Sequence, residues 1–151
     1  MIKAIATNKL TTTNSIEYAV QIGMKGENYV LPFLQRNFPD SKDIMNTKER
    51  LHNDYCGWDF DDENDNRWEV KTRPDLTHNK YSTMFISAHK MNHQAEGKKL
   101  YMVFNCIDGV WCVEYEKQLF DTFKITDNFD RRRNKWEKIV NIPVQYLRQL
   151  I

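Results

Sequence analysis

The chain has 151 residues, of which 40% are hydrophobic and 13% aromatic, enough to bury roughly two thirds of the unfolded surface in a single core without a disulfide or metal. Its 22 Lys and Arg against 21 Asp and Glu leave a formal net charge of +1, which excludes nucleic-acid binding through bulk charge. No run approaches the ~18 apolar residues of a membrane span, and MIKAIATNKLTTT lacks the apolar core of a signal peptide, so a soluble intracellular protein, cytoplasmic or associated with nucleic acid, is expected.

Without repeats, low-complexity tracts or a Gly, Pro or Ser-rich linker, residues 1–151 read as one domain. TTTNS at 11–15 offers N-caps for a helix through IEYAVQI. Gly23 and Gly26 are expected to interrupt it before a second helical segment, ENYVLPFLQRNF, in which Pro32 demands an early position or a kink. At Asp54 the period changes. DYCGWDFDD, the turn-rich ENDN and RWEVKTR predict an antiparallel hairpin, in which Trp58 and Phe60 share one face and so do Trp68 and Val70. MFIS at 84–87 predicts a short strand and Ser87 the cap of a helix, AHKMNHQAEG, ending at Gly97. KLYMVFNC and VWCVEY flank Asp108-Gly109 as a hairpin that sets Cys106 opposite Trp111. KIVNIPV then reads as a strand and QYLRQLI as a short helix. The three cysteines, Cys56, Cys106 and Cys112, are odd in number and lack Cys-x-x-Cys spacing, which predicts buried, reduced thiols.

The net charge conceals two poles, acidic DFDDENDN at 59–66 and basic RRRNKWEK at 131–138. With the hairpin turn near Asn64, Asp59 faces Glu69, and both share a face with Lys71. Two carboxylates and an ammonium at that range are costly unless something uses them. A divalent cation resolves the conflict: Asp59, Glu69 and the Val70 carbonyl form an oxygen-rich set suited to Mg²⁺ or Mn²⁺, with Lys71 placed to assist an attacking water. The remaining acids of DDENDN read as a solvated hairpin tip.

Glu27, Gly57-Trp58-Asp59 and Glu69-Val70-Lys71 together resemble the PD-(D/E)XK nucleases, the restriction-endonuclease-like superfamily, over roughly residues 16 to 115 in element order. Glu-Val-Lys is the most specific part. Trp58 stands where the family usually has a proline, which leaves Asp54 and Asp61 as substitutes for Asp59. The resemblance implies an α/β fold of three α/β/α layers with a mixed central sheet flanked by helices. It also implies that Asp59, Glu69 and Glu27 bind the metal, that Lys71 assists the water, and that Lys90 or Gln94 approaches from the helix after MFIS.

Phosphate contacts are expected from Arg73 and Lys80 after the catalytic strand and from Arg131, Arg132 and Arg133, with Trp136 beside them for stacking. His89 and His93, four apart, read as a satisfied or solvent-facing pair rather than a zinc site, because no further ligands accompany them. The expected activity is a Mg²⁺- or Mn²⁺-dependent DNA endonuclease, working as a homodimer without a small-molecule cofactor. The alternative is a catalytically inactive nuclease-fold module that binds nucleic acid or protein.

Overall fold

The computed structural model describes residues 15–151; the N-caps expected at 11–14 and the leading segment lie outside the described residues. In chain order the elements are α1 (Ser15–Asn37), β1 (Met45–Asn46), α2 (Thr47–Leu51), β2 (Phe60–Asp61), β3 (Arg67–Arg73) and β4 (Thr83–Ser87). A 3₁₀ turn (Ala88–His93) leads to β5 (Leu100–Cys106), β6 (Gly109–Glu114), α3 (Lys117–Phe120), β7 (Lys124–Asp130) and β8 (Lys135–Pro143). A last 3₁₀ turn (Val144–Tyr146) precedes β9 (Arg148–Gln149).

The expected break in the first helix does not occur: α1 runs unbroken through Gly23, Gly26 and Pro32. What it covers overrides local propensity. Val30, Leu34 and Phe38 recur every four residues and pack on Trp68, Val70, Tyr101 and Val103. Those four belong to a six-stranded sheet of order β1-β2-β3-β5-β6-β9, in which β3 and β5 run parallel and the other pairs antiparallel. The fold is thus α/β with a mixed sheet.

The layer on the opposite face departs from the α/β/α expectation. Leu100, Met102 and Phe104 project there onto Met84, Ile86, Val140 and Ile142, which come from a second, antiparallel sheet of order β4-β8-β7. The segment expected to supply a helix, 88–97, makes only the 3₁₀ turn, and Ser87 gives it no side-chain cap because its Oγ hydrogen-bonds Glu137 at 3.0 Å. The C-terminal segment likewise forms a 3₁₀ turn and β9 instead of a helix, since Leu147 and Leu150 are drawn into the core on alternate sides of a short strand.

Two register details also differ. Cys106 pairs with Gly109 and Phe104 with Trp111, because the turn centres on Ile107–Asp108. Gly109 is required there by contact: its φ is 137°, and a Cβ would lie 2.3 Å from the Ile151 carbonyl. At the acidic hairpin, Phe60 enters the core with Trp68, but Trp58 does not share its face. The chain leaves the strand before Phe60, and Trp58 instead lies 3.5 Å from the Arg67 guanidinium. Cys106 and Cys112 are buried free thiols as expected, while Cys56 is half-buried. No helix among the described residues is long and apolar enough to cross a membrane.

Candidate active site

β3 is bordered by β5 along its whole length but by β2 only at Arg67 and Trp68, so the edge from Val70 to Arg73 is open. Asp59 closes the start of that edge. Its N–H donates to the Trp68 carbonyl at 3.3 Å, and its Oδ2 accepts the Val70 N–H at 2.8 Å. The N–H and C=O of one strand residue point the same way, so the Val70 carbonyl faces this edge as well.

Helix α1 crosses the edge where it has no side chain. A Cβ on Gly26 would lie 1.8 Å from Thr72 Oγ1 and 3.0 Å from Thr72 Cβ, so rotating the threonine would not relieve the clash. Glycine permits the approach, and the next residue, Glu27, is carried to the site. Asn46 donates to Glu27 Oε1 at 3.3 Å while its own Oδ1 caps α2 through the Lys48 N–H. Glu27, Asp59, Val70 and Lys71 line one cavity of about 480 Å³, joined by Lys48 and Lys90.

The carboxylates strain against each other. Burial, reinforced by Asp59 and Glu69 and opposed by Lys48, pushes Glu27 up to about 7. Burial and then Glu69 push Asp59 up to about 6, against the Val70 N–H and the Lys90 and Lys71 ammoniums. Lys71 is lowered by burial and by Lys90, with Glu69 and Asp59 pulling the other way. A proton or a cation is needed to settle Glu27 and Asp59 near neutral pH.

Glu69 was expected on an open polar face, yet it is completely buried. Its register partner Met102 shows why: this face of β3 turns toward the second sheet. Oε1 hydrogen-bonds His93 Nδ1, and Oε2 lies 3.4 Å from Lys90 Nζ. Gly57 makes room for the imidazole, since a Cβ there would sit 2.8 Å from His93 Nε2. No three His, Cys, Asp or Glu side chains among the described residues stand as a ligand set. The donor chemistry still fits a hard divalent cation: anionic oxygens with raised proton affinity, beside a carbonyl on an open edge.

The structure sorts the remaining candidates. Arg73, Lys90, Arg132 and Arg133 line the cavity. Arg73 donates to the Phe85 carbonyl at 3.1 Å, and its guanidinium is lowered chiefly by burial, with Arg132 adding its positive charge. Lys80 and Arg131 are exposed and lie outside the cavity lining, and Gln94 donates to the Lys98 carbonyl at 3.0 Å. Asp61 cannot substitute for Asp59, because Arg50 Nε holds it at 2.5 Å and Trp58 Nε1 at 3.3 Å; Asp54 is on an exposed loop. Asp62 is buried and accepts the Asn64 and Asn66 N–H groups at 2.9 Å, so the expected solvated tip is a hydrogen-bonded turn.

Of the histidine pair, only His93 reaches the carboxylates. The two rings are 6.1 Å apart at 83°, and His89 is exposed. His93 and Lys48 were missed as site residues; His93 meets Glu69 across 24 positions of sequence, a separation that leaves no local spacing signal. No protein-family model matches the chain, and no curated protein or solved structure is detectably similar to it.

Proposed function

We propose that the chain is a metal-dependent DNA endonuclease of the restriction-endonuclease-like kind, with the cavity between α1 and β3 as its active site. One observation carries this reading: Glu27 and Asp59, from two separate segments, line the cavity at the open edge of β3 with Lys71, and both are raised in proton affinity by burial and by the buried Glu69 carboxylate behind them. Such a cluster weakens the fold unless a cation uses it.

Glu27, Asp59, Glu69 and the Val70 carbonyl are the groups that would hold Mg²⁺ or Mn²⁺. The ion, when bound, acts as a Lewis acid on the phosphodiester and makes water a stronger nucleophile. Lys71, with its ammonium desolvated, stabilises the negative charge that gathers on the attacked phosphate and keeps the water oriented. Arg73 and Lys90 add positive charge at the rim and hold the strand in line. His93 and Lys90 fix the Glu69 carboxylate through its two oxygens. With one such site per chain, cutting both strands calls for a homodimer, closed twofold symmetry being the commonest oligomeric solution.

The burial of Glu69 between His93 and Lys90 favours a second reading, a nuclease-fold module that binds nucleic acid or protein without hydrolysis. Incubation with plasmid, single-stranded DNA, a four-way junction and RNA, each with Mg²⁺, Mn²⁺ or EDTA, separates the two. Metal-dependent cleavage that disappears in Glu69→Gln is the expected result. Cleavage by Glu69→Gln at the wild-type rate contradicts the site, and binding without cleavage under every condition supports the inactive module.

A further inference from the structure

Strand β8 pairs with β4 only from Ile139 to Pro143, whereas its pairing with β7 continues to Asp130 and Lys135. The outer part of β7 and β8 therefore leaves the second sheet as a two-stranded arm. Its tip is fixed by Asp130, whose Oδ1 accepts the Arg132 N–H at 3.0 Å and the Arg133 N–H at 3.3 Å, and by Asn134 in the left-handed region at φ 53°. The fixed tip sets Arg132 and Arg133 in the wall of the same cavity that Glu27, Asp59 and Lys71 line.

One cross-strand position behind the tip is an aromatic pair. Phe129 faces Trp136 with ring centroids 5.3 Å apart at 64°, and the indole is 69% exposed. Ile125, two pairs along the same face of β7, is exposed as well. An arm that joins exposed aromatic surface to cations in the wall of a cavity rich in Lys and Arg fits a ligand that is apolar on one side and anionic on the other. A nucleotide strand has that chemistry. In duplex DNA the base faces are stacked and hidden, so an exposed indole finds a base to stack on only where pairing is broken.

We propose that the β7–β8 arm selects nucleic acid with an unpaired base beside the phosphate to be cut, Arg132 and Arg133 holding the backbone and Trp136 stacking on the base. This rests on the nuclease reading above and narrows its substrate to single strands or to flaps and junctions where a strand leaves a duplex.

Fluorescence anisotropy in EDTA, with a labelled single strand, a blunt duplex of the same sequence and a duplex carrying a single-stranded flap, tests this without any cleavage. Trp136→Ala is expected to weaken the single-strand and flap ligands by about tenfold or more while leaving the blunt duplex unchanged. Trp136→Phe should recover most of the loss. Arg132→Ala with Arg133→Ala should weaken all three ligands and lower the slope of log affinity against log salt by about 1 to 2. Equal weakening of all ligands by Trp136→Ala, or none, overturns the proposal. So does a Trp136→Ala protein that turns from dimer to monomer in sedimentation with its DNA affinity intact, which would make the face a protein interface. Failure of metal-dependent cleavage with this discrimination intact would count against the active site alone.

Discussion

Two histidine–carboxylate pairs stand in different parts of the molecule, and the contrast between them separates a clamp from a site. In the first, His78 Nδ1 lies 2.6 Å from Asp108 Oδ2 and the His78 N–H donates to Asp108 Oδ1 at 2.9 Å, while the imidazole stacks on Trp111 at 3.5 Å and 12°. In the second, His93 holds Glu69. Asp108 is partly exposed, at 30% of its side chain, and Glu69 is at 0%. Burial alone would push Asp108 up, but the His78 side-chain and backbone hydrogen bonds outweigh it and hold the carboxyl below its ordinary range. Around Glu69 the balance has the opposite sign, since burial and neighbouring carboxylates push Asp59 and Glu27 up. The first pair is satisfied locally and ties the loop after β3 to the β5–β6 turn. The second is surrounded by acids that its own histidine does not neutralise.

Removing each imidazole should therefore have different consequences. His93→Ala leaves a buried carboxylate with only Lys90, which should cost on the order of 3 kcal/mol of stability and most of the cleavage activity, with His93→Gln retaining more of both. His78→Ala should cost about 1 kcal/mol, read as a Tm lower by about 2–4 °C, and leave DNA cleavage unchanged. Thermal melts and plasmid assays on the three proteins check this. If the two alanine variants lose stability equally and both keep activity, the contrast fails.

The smallest effect lies in pH. Asp108 is depressed in the fold, so its contribution is present above the ordinary aspartate range and is lost as pH falls through its folded value. Glu27 is raised, so the folded state holds its proton longer than the unfolded chain does. Its contribution is present at low pH and is lost as pH rises through about 7. In EDTA, Glu27→Gln should raise the melting temperature by a few degrees at about pH 8, the gain shrinking as pH falls below 7. A gain that is the same at all pH values would mean that Glu27 is not strained by its neighbours.

Much of this arrangement was legible in the chain. Alternation in RWEVKTR put Trp68 and Val70 in the core and Glu69 and Lys71 on the other face, and the ENDN turn set Asp59 against the Glu69 end of β3. The parts that were not legible depend on contacts between distant segments. Gly23 and Gly26 looked like helix breaks, because nothing local reveals that α1 runs on through both or that Thr72 fills the space a side chain at Gly26 would take. The second sheet was hidden because KITDNFD carries only Ile125 and Phe129 as apolar residues, both exposed, and gains its strand conformation by pairing with β8. Glu69 looked open because one strand's alternation cannot show that another layer covers its polar face.

The central claim is that the acids bind a divalent cation and that Lys71 acts on the phosphate instead of serving as their ion-pair partner. Calorimetric titration of Mn²⁺ into wild type and Lys71→Ala, with DNA cleavage followed on the same samples, tests it most directly. Loss of the ammonium should leave Mn²⁺ binding as strong or stronger, because a nearby positive charge is gone, while cleavage falls on the order of a hundredfold or more. Weaker Mn²⁺ binding with cleavage largely preserved would contradict the account and reduce Lys71 to a structural counter-ion.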